Sequence, residues 1–246
     1  MTNWQTHWND STGSVVHGDY FQQVGRTVGG KAVPSEQLAY LVESVINALD
    51  IAPGHLVLDI CCGNGQVTKR LAEHCLFVVG VDFSGPLIET AQKHFAAPNI
   101  RYIRASATDL PNELLPSDPH DVGRGFNRVA LCDAMQYFSP DEMLAMLGRL
   151  RSLCRPGFAM FCGGIPDQAR LRDFYNTDAR RSDYEQRMAR DGRDALGHWW
   201  QRQSVVDLAH RAGFDCRIID QAAGRYTAHY RFDALLISQG HDTHLA

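Results

Sequence analysis

The chain has 246 residues, 44% hydrophobic and 21% charged, with a formal net charge of −4. That is enough apolar sequence for one substantial core and a single α/β domain, while the acidic balance argues against general nucleic-acid affinity, which needs a basic face to release counterions from phosphates. The opening MTNWQTHWND is polar and aromatic, and no run approaches the roughly 20 apolar residues of a membrane span, so we expect neither signal peptide nor transmembrane helix but a cytoplasmic protein with a small-molecule substrate.

Residues 1–50 read as a lid. Trp4, Trp8, Tyr20 and Phe21 precede a glycine-rich stretch and an amphipathic helix from Ser35 to Leu49. Within it, GRTVGGKA from Gly25 to Ala32 matches the start of the phosphate-loop pattern. No apolar strand leads into it, Ala32 stands where a magnesium-binding hydroxyl is needed, and Pro34 interrupts any helix starting there. A glycine hinge carrying Arg26 is the better reading.

The next segment, LVLDICCGNGQVTKRLA from Leu56 to Ala72, carries the most information. Leu56, Val57, Leu58 and Ile60 form a continuous apolar run of the kind buried on both faces of a parallel sheet. Gly63 and Gly65 then let the backbone bend sharply and approach a ligand, and Val67 and Leu71 show helical spacing. A second apolar strand, Phe77 to Val81, ends in Asp82, about where an acid meets ribose hydroxyls in a Rossmann-type βαβ unit. A dinucleotide site would need G-x-G-x-x-G to seat pyrophosphate on the helix N-terminus. This chain has C-C-G-N-G-Q, and Asp59 just before the turn would repel pyrophosphate while accepting from an ammonium group.

Beyond Asp82 the alternation continues. Ser84 is placed to cap a helix running through His94, with strand three at Ile100 to Ala105 and strand four at Phe126 to Cys132. Ser139 caps a helix whose face is Met143, Leu144, Leu147 and Leu150; Gly157 follows it, and strand five runs from Phe158 to Ile165. Alternation of this kind predicts a parallel sheet. Residues 166–200 fall outside the pattern and read as a substrate cap, in which Phe174, Tyr175, Tyr184, Trp199 and Trp200 accompany Arg170, Arg172, Arg180, Arg181, Arg187, Arg190 and Arg193. Ion pairing on a solvated helix face accounts for so many arginines, while a clamp for an anionic substrate is the functional alternative. A helix from Val205 to Arg211 and strands at Phe214 to Ile219 and Tyr230 to Ser238 close the chain.

The seven cysteines lack C-x-x-C spacing and read as reduced core thiols rather than a disulfide framework. The histidines likewise lack metal-ligand spacing, His241 and His244 of the tail included, and no metal is expected.

Five segments in order resemble the class I S-adenosylmethionine-dependent methyltransferases: LDICCGNG, Asp82-Phe83-Ser84, IRYIRASATDLP, FNRVALCDAMQYF and Arg155-Pro156-Gly157. The resemblance covers most of the chain. It implies a Rossmann-like, seven-stranded, mostly parallel sheet with helices on both faces and an antiparallel last strand, in one domain divided into the lid (1–50), a cofactor-binding core (51–165), the cap (166–200) and a C-terminal part (201–246). It further implies that Asp59 and the Cys61, Gly63 and Gly65 backbone hold the methionine part of S-adenosylmethionine. Asp82 would hold the ribose, Phe83 would flank adenine, and Cys132 would offer a carbonyl near the sulfonium. Cys61 stands where the family has its first glycine, which requires a negative φ if the backbone is to face the cofactor. Ser106 stands where the family often has an acid for the adenine amino group; Ser106 with Ala107 is the expected adenine contact, with Asp109 the alternative. Arg26 and Tyr20 would reach the cofactor's carboxylate when the lid closes.

Methyl transfer needs alignment, exclusion of water and, for a hydroxyl, a base titrating near neutrality. His198, in GHWW, is the candidate base, and Asp133 and Tyr137, at the end of strand four, are candidates to orient the acceptor. We expect a small-molecule methyltransferase, O-methylation favoured over N or C, acting as monomer or homodimer. A nicotinamide-dependent oxidoreductase and a cofactor-binding protein without chemistry remain alternatives.

Overall fold

Alternate residues of the first apolar strand enter two different cores, and this follows from the period of two that separates the faces of a sheet. In the computed structural model, which describes residues 6, 8, 19–114 and 125–239, strand β1 (Leu56–Ile60) is buried throughout. Leu56, Leu58 and Ile60 pack with Met143, Leu147 and Leu150 on one face, while Val57 packs with Leu41, Val45, Val67 and Leu71 on the other. Helices therefore cover both sides.

The other strands of this sheet are β2 (Phe77–Asp82), β3 (Ile100–Arg104), β4 (Phe126–Cys132), β5 (Cys154–Pro166), β6 (Phe214–Asp220) and β7 (Arg231–Ser238). Their order is β3-β2-β1-β4-β5-β7-β6. Pairing is parallel from β3 across to β5, and β7 runs antiparallel to both β5 and β6. The expected seven-stranded sheet with an antiparallel last strand is thus what forms. Because β2 and β4 leave β1 in opposite directions, the chain has a topological switch point between β1 and β4, where open α/β sheets bind ligands outside the carboxyl ends of their strands.

The helices are α1 (Glu36–Leu49), α2 (Gln66–Leu71), α3 (Gly85–His94), α4 (Pro140–Leu153), α5 (Asp178–Asp191) and α6 (Arg202–Arg211), with short turns at Tyr20–Gln23 and Leu171–Phe174 and a small hairpin pairing Thr27–Val28 with Lys31–Ala32. α4 starts as its sequence predicts. Ser139 accepts from the Glu142 N–H, and the Glu142 carboxylate accepts in return from the Ser139 N–H, a reciprocal cap that satisfies both donors. Ser84 precedes α3 as expected, but its side chain makes no cap bond; its hydroxyl donates to the Trp8 carbonyl instead.

One boundary differs clearly from expectation. β5 begins at Cys154, directly after α4, rather than at Phe158. Cys154 pairs with Phe126 before the register shifts, and the Arg155-Pro156-Gly157 turn is absorbed as an irregularity within the strand, with Gly157 at φ +75. The two arms approach closely enough that a Cβ on Gly125 would lie 2.8 Å from the Cys154 carbonyl carbon.

The cap is held by aromatic packing rather than by its long helix. No residue of α5 is buried, whereas Tyr175, Trp199 and Tyr230 form a separate core with Phe174 and Tyr184 around them. Tyr175 and the Trp199 indole both donate to the Asp194 carboxylate, and the Trp200 indole donates to the Met135 carbonyl at 3.3 Å. Both tryptophans are anchors. Among the described residues no helix is long and apolar enough to cross a membrane. Trp4, His241 and His244 lie outside the described residues.

Candidate active site

Asp82 ends β2 beside the turn that follows β1, and its two oxygens are both engaged by backbone. Oδ2 accepts from the Gly63 N–H and Oδ1 from the Ser84 N–H, each at 2.9 Å. Burial pushes the carboxyl above its usual range, and these donors pull it back. It faces a cavity of about 950 Å³, counting its open mouth, lined by the ends of four adjacent strands. Cys61, Cys62 and Gly63 follow β1, Asp82 and Phe83 end β2, Ser106, Ala107 and Thr108 follow β3, and Cys132, Asp133 and Ala134 come from β4. This is the switch-point crevice.

The turn after β1 corrects one expectation. Cys61 has φ +57, not a negative value, and Gly63 and Gly65 follow at +57 and +84. Positions 61, 63 and 65 are therefore all left-handed, and Cys61 adopts the conformation glycine would supply at a cost of roughly 1–2 kcal/mol. The thiols of Cys61, Cys62 and Cys132 are all pushed well above their usual range by desolvation and stay neutral.

Gly65 caps α2 and does not line the cavity; nor does Asp59, which lies beneath the turn and accepts from the Thr68 hydroxyl at 2.6 Å. Burial raises the Asp59 carboxyl to about 7, against the Thr68 hydrogen bond and the nearby Arg26 charge. The N–H groups of Cys62, Gly63 and Gly65 are taken by the Val81 carbonyl, Asp82 and the Cys62 carbonyl. A pyrophosphate would find none of them free.

The N-terminal segment sits over this turn. The side-chain amides of Asn64 and Gln66 donate to the Tyr20 carbonyl at 2.8 and 2.9 Å, and Gln23 bonds Asn64 and Thr90. Val24 and Arg26 thereby line the cavity. The Tyr20 ring does not: it packs against His94 and Phe95 on the outer side, leaving only its backbone at the turn.

Phe83, Leu87 and Ala107 make an apolar slot, and the hydroxyls of Ser106 and Thr108, 2.9 Å apart, stand beside it. Asp109 is exposed and is not part of the lining. Tyr137 borders the cavity with Trp8 packed edge-on at 5.9 Å, and burial raises its phenol. Asp133 faces Arg26 and Arg225. His198 is not among the lining residues; its side chain is exposed against Trp200, and its backbone N–H donates to the Gln136 carbonyl. Partial desolvation at this position lowers its pKa.

Sequence reasoning missed Val24, Leu87, Thr108, Ala134, Phe138 and Glu142 in the lining, and Arg225 behind it. Leu87 follows the predicted cap by one turn and was within reach; Arg225 lies in a loop with no periodic signal. The cap arginines pair with neighbours: Arg181 with Asp178, Arg187 with Asp183 and Arg190 with Asp191. None of them lines the cavity.

Residues 57–157 match a family model described as a methyltransferase domain. The chain is similar to the 2-phytyl-1,4-naphtoquinone methyltransferase of Trichormus variabilis, 37% identical over 117 residues that cover 43% of this chain and 51% of that protein. It is also similar to the carboxy-S-adenosyl-L-methionine synthase of Pseudomonas aeruginosa, 27% identical over 163 residues, 62% of this chain and 65% of that one. The chain spans about half the length of the first of these relatives. Among solved structures, the magnesium protoporphyrin IX methyltransferase of Synechocystis with bound SAH matches with a TM-score of 0.64 at 15% identity, covering 97% of this chain and 99% of that one. The N-methyltransferase NodS of Bradyrhizobium japonicum matches with a TM-score of 0.57 at 13% identity, covering 83% and 98%. At those identities the likeness is one of fold.

Proposed function

We propose that this chain, which carries a class I S-adenosylmethionine-dependent methyltransferase domain, transfers the methyl group of S-adenosylmethionine to a small-molecule acceptor. The observation that carries the reading is Asp82: a carboxylate held by two backbone N–H groups, at the switch point, in a cavity also lined by the apolar Phe83, Leu87 and Ala107. Asp82 takes the ribose hydroxyls, Phe83, Leu87 and Ala107 enclose the adenine ring, and Ser106 with Thr108 meets its polar edge. Arg26 takes the methionyl carboxylate, with Tyr20 contributing through the backbone that seats the lid. The Cys61 to Gly65 turn passes close to the methionine part, with Asp59 buried beneath it, and the Cys132 carbonyl lies toward the sulfonium.

The cofactor supplies an electrophilic methyl group, displaced in line by the acceptor. The chain's part is to align and to exclude water. Trp8, Tyr137 and Phe138 give the acceptor side an aromatic wall that suits an apolar or aromatic molecule. An oxygen nucleophile is favoured over nitrogen or carbon, with the Tyr137 hydroxyl at the cavity wall as a hydrogen-bond partner for the acceptor and His198, outside the lining in the cap run, as the base to test. Residues 166–200 act as the substrate cap, without nucleic acid or membrane, in a monomer or homodimer.

The test is turnover to S-adenosylhomocysteine with a panel of phenols, carboxylates and amines. His198→Ala retaining most of kcat would remove His198 from the base role, and Tyr137→Phe would then be the next variant to measure.

A further inference from the structure

We infer that Asp133 is a positioning residue, not an acceptor-facing one: its carboxylate holds Arg26 over the cavity, so that the lid's grip on the cofactor carboxylate is set by the buried Arg225 of the C-terminal part. The inference rests on the S-adenosylmethionine reading of the cavity.

Asp133 occupies the first position after β4, at φ +54, which a non-glycine residue adopts only when its surroundings impose it. Here they do. Its N–H donates to the Gly163 carbonyl at 2.8 Å and its carbonyl accepts from the Gln136 amide at 2.7 Å. The turn so fixed aims the carboxylate between two guanidiniums, with Oδ2 3.7 Å from Arg26 Nε and Oδ1 3.6 Å from Arg225 Nη2. Gly164, at φ +70, leaves the room: a Cβ there would lie 2.1 Å from Asp133 Oδ1. Each oxygen thus faces a guanidinium, which turns the carboxylate toward the two arginines.

The two arginines differ in freedom. Arg225 is buried, and its Nη1 is 3.5 Å from Asp233 Oδ2. Asp233 is itself fixed, accepting from the Gly164 N–H at 2.7 Å and the Gln221 amide at 2.6 Å. A buried charge stays where its partners are, because leaving them is costly. Arg26 is the movable end. It follows Gly25 on the lid, with Gly29 and Gly30 beyond it, all at positive φ. Among the described residues lining the cavity it is the one cation. A long, flexible side chain held at one end of its fork by Asp133 loses less freedom when it pairs with a carboxylate.

The experiment is calorimetric titration of the full chain with S-adenosylhomocysteine and with 5′-methylthioadenosine, which keeps the adenosyl group and lacks the amino-acid carboxylate. Wild type, Asp133→Asn, Arg26→Ala and the double variant are compared. Asp133→Asn is expected to weaken S-adenosylhomocysteine at least about 5-fold and methylthioadenosine less than about 2-fold. In the Arg26→Ala background the same substitution should add less than about 2-fold, as coupled neighbours do. Equal losses for both ligands, additive losses in the double variant, or unchanged S-adenosylhomocysteine binding in Asp133→Asn would overturn the inference. Wild type binding neither ligand would instead overturn the cofactor reading, and this inference with it.

Discussion

The hydroxyl of Tyr102 occupies the space beside Gly65 so fully that a Cβ on Gly65 would lie 2.6 Å from it. The same hydroxyl donates to the Phe95 carbonyl at 2.9 Å, so it cannot step aside without losing that bond. Gly65 is therefore doubly required, by this contact and by its φ of +84. Gly65→Ala should destabilise the chain by about 2–4 kcal/mol in urea denaturation, the left-handed cost plus overpacking. Tyr102→Phe in the same background should recover part of that loss.

Cys61 makes a contrasting case, since its left-handed backbone is carried by a residue with a Cβ. Cys61→Gly should leave S-adenosylhomocysteine affinity within about 2-fold of wild type and cost no more than about 1 kcal/mol of stability, relief of strain offsetting the flexibility gained by the unfolded chain. Cys61→Val should cost about 2 kcal/mol or more, because a β-branched side chain is poorly tolerated at positive φ. Denaturation midpoints of the two variants decide it.

What the sequence made legible was whatever repeats or is local. The buried strand from Leu56, the alternation of strands and helices, the Ser139 cap and the placement of Asp82 at a strand end all follow from periodicity and nearest neighbours. The sign of φ at Cys61 was misread because side-chain identity suggested an ordinary conformation, whereas the turn's path imposes the backbone. The pairing of Asp133 with Arg225 was illegible for a different reason: it joins residues far apart in sequence through β5 and β7, and no local pattern encodes it. The aromatic cap residues were visible, but only packing showed that Trp199 and Trp200 are anchors.

Asp59 should make stability depend on pH. Unfolded it titrates near its ordinary value of 3.8, and folded at about 7, because burial disfavours the charge. The folded chain thus holds a proton that the unfolded chain releases between those values. Its contribution is fully present below the lower value, falls as pH rises toward 7 and is flat beyond. Asp59→Asn removes the effect while keeping an acceptor for Thr68. Between about pH 5.5 and pH 8, wild type should lose about 2 kcal/mol relative to the variant. Parallel pH profiles for the two chains would contradict this.

The cap arginines should matter little. Arg181 and Arg187 pair with Asp178 and Asp183 on an exposed helix face. Exposed pairs of this kind contribute about 0–1 kcal/mol. Arg181→Ala and Arg187→Ala are expected to leave KM for the acceptor unchanged; a rise of about 5-fold or more in either would revive the anion clamp.

The most direct measurement is a thermal-shift comparison of the purified chain with S-adenosylmethionine, S-adenosylhomocysteine, NAD and ATP, repeated on Asp82→Ala. At about 100 times its Kd a ligand adds roughly 2.7 kcal/mol, which raises Tm by roughly 5–10 °C in a chain of this size. The account predicts that shift for the two adenosyl compounds alone, and its loss in Asp82→Ala. A shift with NAD or ATP and none with either adenosyl compound would contradict it.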